Sequence, residues 1–319
     1  MVTSKRKRKT VNLSTKKRPQ RRTTATRALT EHDSDASSAS DYEEKVDNNK
    51  ESKNDVNTDN QSDNDDDVIL TADDFNPPKI KVPVPKGSPF PDAISPASMT
   101  FMATLIENND REFMKLHEEQ WKATKKDFMD FVDLFAKELH QVDHTTLVQP
   151  AKEAIYRQHR DLRFTKDRIP YKTTLRASFT REGKTSPLPG YHISLKPGDE
   201  SVVAIGVFQP QPDLKQRMRS GIMRQASLLR EALSTEAIQD VFGKDNVGAG
   251  LLDQRDRLKV APKGVAKDHP DIDLLRLNSL FIIKKFKDVD VVSEGFLDKV
   301  LDVCDALLPF VTILNSWMA

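Results

Sequence analysis

The sequence predicts an α+β domain in which an antiparallel sheet of about four to five strands packs against helices drawn from both ends of the domain. Three observations carry this reading. Apolar residues recur at helical spacing ahead of Arg160 and again beyond Pro212. Three short alternating runs lie between them, separated by turn residues. The long amino-terminal stretch is too polar to supply a core of its own, so one domain is expected over residues 98–319, preceded by a disordered tail over residues 1–97.

The tail is polarised in charge. Met1–Thr30 holds eleven Lys or Arg and no acidic residue, whereas Glu31–Asp67 holds fourteen Asp or Glu against three lysines. These blocks cancel behind a formal net charge of +1. With so little apolar surface, neither block offsets the entropy of ordering its chain. Residues 76–97 contain Pro77, Pro78, Pro83, Pro85, Pro89, Pro91 and Pro96 and read as an extended linker. Lys5, Arg6, Lys7, Arg8 and Lys9, followed by Lys16, Lys17 and Arg18, form the clustered basic pattern of a nuclear localisation signal. An import receptor is its expected partner and the nucleus its expected compartment, with a cytoplasmic protein carrying a polyanion-binding arm as the other reading. Ser34, Ser37, Ser40 and Ser62 precede carboxylates, a context that acidophilic kinases favour. The acidic block read alone is a solubilising segment.

Cys304 is the single cysteine, which excludes an intramolecular disulfide and points to a reducing compartment. The basic start is not followed by an apolar stretch of signal-peptide type, and no run of about 18 apolar residues occurs, so neither secretion nor a membrane is expected.

Within the domain, Phe101, Leu105 and Ile106 predict a short helix ending at Asn108. Asn109, with Glu112 three residues on, predicts the capping box of a second helix, whose later half shows Phe128, Phe131, Val132, Phe135 and Leu139 on one face. Pro150–His159 reads as a further helix. Leu175, Ala177 and Phe179 alternate with polar residues, as do Tyr191, Ile193 and Leu195 beyond Pro189-Gly190. Pro197-Gly198-Asp199 is a turn, and Val202–Phe208 is apolar enough for a central strand in which Gly206 permits close backbone approach. These three strands predict a meander. Pro212 opens a helix with Leu214, Met218 and Ile222 spaced by four, and a shorter one over Thr235–Phe242 stops at Gly243. Leu280–Phe286 resembles another strand. Ser293 is the expected cap of a last helix with the stripe Phe296, Leu297, Val300, Leu301, Cys304, Leu307 and Leu308.

The segment Arg160–Thr173 sets five basic groups and two carboxylates around Phe164 and Tyr171. It belongs to an ordered set of blocks. Phe101 is followed by Asn108-Asn109-Asp110-Arg111-Glu112-Phe113, then by Arg160-Asp161-Leu162-Arg163-Phe164, Lys166-Asp167 and Pro170-Tyr171-Lys172-Thr173. Pro189-Gly190-Tyr191-His192, the strand with Gly206, Pro262-Lys263-Gly264, His269-Pro270 and Asp273-Leu274-Leu275 complete it. In this order and combination the chain resembles the family called domain of unknown function 2461, found in bacteria and fungi, from roughly Met99 to Trp317. The family pattern often has a second aromatic after Tyr191, where this chain has His192. The resemblance implies a shared fold and no established activity, cofactor or catalytic residue.

Arg160, Arg163, Lys166, Tyr171 and Lys172, with Lys263 from elsewhere, are the candidate anion-binding residues, because guanidinium groups grip phosphate bidentately and lysines act as point charges. The other reading is an internal network in which Asp161 and Asp167 neutralise neighbouring arginines. The leading expectation is a nuclear, non-catalytic binding protein that takes nucleic acid or a phosphorylated ligand. The alternatives are an enzyme on a small phosphorylated or nucleotide-like substrate, with Asp161, Asp167 or His269 as acid–base groups, or a purely structural or protein-interaction domain. His192, Asp268, His269, Asp271 and Asp273 lack zinc-ligand spacing, and no motif implies a metal or cofactor. Gly183-Lys184-Thr185 resembles the end of a phosphate loop, but Ser178 stands where its first glycine is required. Cys304, Trp121 and Trp317 are expected to be packing residues.

Overall fold

Four strands, β1 (Leu175–Phe179), β2 (Gly190–Leu195), β3 (Ser201–Val207) and β4 (Leu280–Phe286), pair antiparallel in chain order to form one sheet. The computed structural model describes residues 75–163, 166 and 169–318. The readings of residues 1–74, namely disorder, the basic signal and the phosphorylatable serines, lie outside the described residues. So do those of Phe164, Thr165, Asp167 and Arg168.

Register divides the sheet into two unlike faces. Leu175, Ala177 and Phe179 stand opposite Leu195, Ile193 and Tyr191, and Tyr191 and Ile193 stand opposite Ile205 and Val203. All of these are buried beneath the helices. The alternate positions, Arg176 and Ser178, His192 and Ser194, Val202 and Ala204, and Ile283 and Lys285, form the outer face.

Helices α1 (Pro96–Glu107), α2 (Arg111–Leu116), α3 (Glu118–Val142) and α4 (Ala151–Ala154) precede the sheet. Between β3 and β4 come α5 (Pro212–Ala232), α6 (Glu236–Phe242) and α7 (Ile272–Leu275), and after β4 come α8 (Asp288–Val291), α9 (Phe296–Ala306) and α10 (Leu308–Met318). The stripe of α3 buries Phe128, Phe131, Val132, Phe135 and Leu139. Each such side chain contributes about 1.5–3 kcal/mol through burial. Phe135 meets Phe179 edge-on at 5.0 Å, and Phe131 stacks on Phe296 at 5.4 Å, tying the early and late helices to the sheet. Cys304 is wholly buried in α9, and burial pushes its thiol pKa up, which makes it a core residue. Trp317 packs on Gly221 of α5 and donates its indole N–H to Gln225 at 2.7 Å. No helix among the described residues is long and apolar enough to cross a membrane.

Five local expectations are corrected. The cap of α2 is Asp110, whose carboxylate accepts from Phe113 N–H at 2.7 Å, so Asn109 is released for another task. The second predicted helix is broken at His117, whose ring stacks on Phe113 at 4.1 Å and whose Nδ1 meets Phe113 O at 2.9 Å. Only Ala151–Ala154 of Pro150–His159 is helical, because residues 155–160 find strand-like partners. Gly295, left-handed at φ 79°, precedes α9 in place of Ser293, whose hydroxyl instead donates to Val289 O at 2.6 Å. The carboxy-terminal stripe is also divided into two helices at Leu307.

Residues 76–95 form no helix or strand, as their prolines dictate, yet they lie against the domain, and Pro96 already opens α1. Ile94 is fully buried, Val82 and Phe90 pack on the core, and Asp92 O accepts from Leu297 N–H at 3.0 Å. The packed unit therefore begins ahead of Ser98.

Gly206 has φ 124°, and a Cβ there would lie 2.2 Å from Leu280 O of β4. Gly206→Ala is predicted to lower the urea midpoint by the equivalent of roughly 2 kcal/mol or more. Gly250→Ala, with nothing within 4 Å of the new methyl, should shift it by less than about 0.5 kcal/mol. Equal midpoints for the two variants would contradict this account.

Candidate anion-binding site

Residues 155–160 run antiparallel to residues 170–177, which lead into and begin β1, and the two stretches form an irregular ribbon at that edge of the sheet. Ile155 bridges Ala177 and His159 bridges Tyr171. Tyr156 N–H donates to Arg176 O at 3.0 Å, Lys172 N–H to Gln158 O at 2.8 Å, and Arg160 N–H to Pro170 O at 2.8 Å.

Asn109 holds this ribbon to the helices. Its amide accepts from Tyr171 N–H and donates to Tyr171 O, both at 3.0 Å, acting as a substitute strand partner. The neighbours of Asn109 do related work. Asn108 accepts from Asn76 N–H at 2.8 Å and donates to Asn76 O at 2.7 Å, while Asp110 caps α2. Three consecutive polar residues thus secure three separate pieces of backbone. Tyr171 itself is buried, its ring 5.0 Å from that of His159, and burial raises its phenol pKa.

Of the predicted cations, Arg160, Arg163, Lys166 and Lys172 all sit on this ribbon. Lys166 and Arg163 are exposed, Arg160 is half-buried and Lys172 is buried. Arg163 clamps Asp161 bidentately, Nε to Oδ1 at 3.0 Å and NH2 to Oδ2 at 2.7 Å. Those side-chain bonds, aided by the Arg163 backbone N–H, hold the Asp161 carboxyl down at about 2. Asp161 is therefore an ionised carboxylate paired with Arg163 near neutral pH. Arg157, Arg160, Lys172 and Arg176 are engaged as well, so pairing and a cationic surface coexist here.

Lys263 lies elsewhere. Its loop leads into β4, at the sheet edge opposite β1, and the loop base is held by Arg276, which donates to Leu258 O and Lys259 O, both at 2.7 Å. His269 also belongs to that side, where its Nδ1 accepts from Asp271 N–H at 3.0 Å. Asp271 and Asp273 accept from Arg230 at 3.2 and 2.8 Å. His192 is on β2, so the two histidines do not meet. Among the described residues no group of three or more His, Cys, Asp or Glu is arranged to hold a metal.

The sequence reading missed two features of this edge. Lys184, in the turn between β1 and β2, donates to Ile155 O at 2.7 Å and lies 5.4 Å from the Tyr156 ring centre. Ser178 Oγ lies 3.0 Å from Tyr156 OH and 2.7 Å from His192 Nδ1. The His192 ring also bonds the Gly206 backbone, so Ser178 is the donor to Nδ1. Part of His192 reaches solvent, but its ring is enclosed enough that burial lowers its pKa to about 4, leaving it neutral near pH 7. No local pattern reveals this chain of groups, because it joins three segments through sheet register.

A family model described as a conserved hypothetical protein (DUF2461) matches residues 97–312. The chain belongs to the DUF2461 family. No curated protein and no solved structure matches it. The DUF2461 match takes in the whole sheet, the basic ribbon and the Asn108–Asp110 clamp, and leaves the charged tail outside.

Asn109→Ala is predicted to cost the DUF2461 domain about 1–3 kcal/mol. Hydrogen exchange should accelerate first at amides of residues 155–173, while β2 and β3 keep their protection. Uniform loss of protection across the sheet would show that Asn109 serves the core and not the ribbon.

Proposed function

We propose that the DUF2461 domain of this chain is a non-catalytic anion-binding module whose site lies on the ribbon beside β1. The supporting observation is charge density on a held backbone. Between Tyr156 and Lys184 stand nine Lys or Arg against three Asp or Glu. An anionic surface ligand, a phosphorylated molecule or a nucleic-acid backbone, gains from such a field and releases counterions on binding. Of the acid–base candidates among the described residues, Asp161 is clamped by Arg163 and His269 Nδ1 accepts from the Asp271 N–H, and this supports binding over catalysis. Lys263, at the far edge of the sheet, is a second contact for an anion long enough to cross the domain. The tail is proposed to act separately, with Lys5–Lys9 and Lys16–Arg18 engaging an import receptor and directing the protein to the nucleus.

Binding of the full chain to a labelled oligonucleotide should weaken with salt. Arg163→Gln combined with Lys166→Gln, both at exposed positions, should reduce the slope of log K against log salt by about 1–2. Neutralising Lys5–Lys9 supplies the reference for the contribution of the tail. An unchanged slope in the folded double variant would overturn the site.

A fluorescent fusion of the full chain should accumulate in nuclei and lose that accumulation when Lys5, Arg6, Lys7, Arg8 and Lys9 are replaced by Gln. Persistent nuclear accumulation of the variant would refute the assignment of the signal.

A further inference from the structure

We infer that the outer face of the sheet is a platform for single-stranded nucleic acid; this rests on the anion-binding reading above and names its ligand. The face is built in rows that the register fixes. One row runs Arg176, Ser194, Val202, Lys285 across the four strands, and the next runs Ser178, His192, Ala204, Ile283. The middle of the first row carries the short side chains Ser194 and Val202, and the middle of the second carries His192 and Ala204. Cations stand at both ends of the first row, and both are exposed. Three interstrand spacings separate them, roughly 14 Å.

The helices that meet the strands cover the opposite face. Neither Val202 nor Ile283 joins the hydrophobic core, and His192, Ser194, Val202, Ala204 and Ile283 each keep part of their surface in solvent. At the end of β3 the alternation carries Phe208 onto this same face. Phe208 is 60% exposed, and its ring meets the Phe281 ring edge-on at 5.3 Å. Burying an aromatic ring is favourable, so one held open beside a shallow face rimmed by cations is suited to a partner with flat apolar surfaces and negative charge.

A single nucleic-acid strand has both. Its phosphates match Arg176 and Lys285, and an unpaired base presents a π-face to Phe208. The Ser194 hydroxyl supplies a polar group to base edges or sugar, and neutral His192, whose ring bonds Ser178 and the Gly206 backbone, adds no charge to the floor. A duplex fits this surface poorly, because its bases are stacked within the helix and unavailable to Phe208. The basic ribbon continues the cationic path beyond Arg176, since residues 155–156 pair with 176–177.

The test uses the full chain with Lys5–Lys9 neutralised, titrated against a labelled single strand and against the duplex of the same sequence. The single strand should bind about tenfold or more tightly than the duplex. Phe208→Ala should weaken single-strand binding by about tenfold or more. Phe208→Tyr should restore it, and the exposed ring allows both variants to fold, as an unchanged thermal midpoint will confirm. Equal affinity for duplex and single strand, or no effect of Phe208→Ala, overturns the platform. If Arg163→Gln with Lys166→Gln still lowers the salt slope in that case, the ribbon site stands without it.

Discussion

The pair of hydrogen bonds between the Asn109 amide and the backbone of Tyr171 sets where the charged part of this molecule sits. A ribbon rich in arginine and lysine repels itself and has little apolar surface to bury. It keeps a defined position only if something outside it fixes the backbone. Asn109 does so from the junction of α1 and α2, while Asn108 and Asp110 hold the entering chain and the start of α2. The consecutive residues Asn108-Asn109-Asp110 therefore link the order of the helical layer to the geometry of the ribbon. Loss of one side-chain hydrogen bond inside that junction leaves buried donors and acceptors unpaired, which costs more than the net worth of the bond.

The sheet supplies the second constraint. Its inner face is closed by the aromatic contacts of α3 and α9, and Tyr191, fully buried, donates its hydroxyl to Asp143 at 3.0 Å. With one face committed to the core, the alternation of side chains leaves the other with Arg176, His192, Ser194 and Lys285. That division explains why the polar chain from Tyr156 through Ser178 to His192 forms where it does. Each member occupies the non-core position of its strand or lies directly beside it.

Much of the fold was legible because periodicity is local. The α3 stripe, the three alternating strands and the short helix ended by Gly243 all follow from spacing within about ten residues. The need for glycine at position 206 was legible too, though its reason, the closeness of Leu280 O, belongs to β4 far along the chain. Asn109 is the expected cap of the second helix, but Tyr171 claims the asparagine and Asp110 caps α2 instead. The helix predicted over Pro150–His159 failed beyond Ala154 for a similar reason: residues 155–160 gain strand partners more than ten residues away.

By itself, the sequence determined the class of the fold, the family, the identity of the basic segment and the charge of the tail, since each depends on composition or short-range pattern. Tertiary structure decided which charges stand together. Strand order placed Lys263 at one edge and the ribbon at the other, and register placed Arg176 and Lys285 on one face. These placements arise from pairing between distant segments, and the energy of that pairing is written in no local stretch of residues.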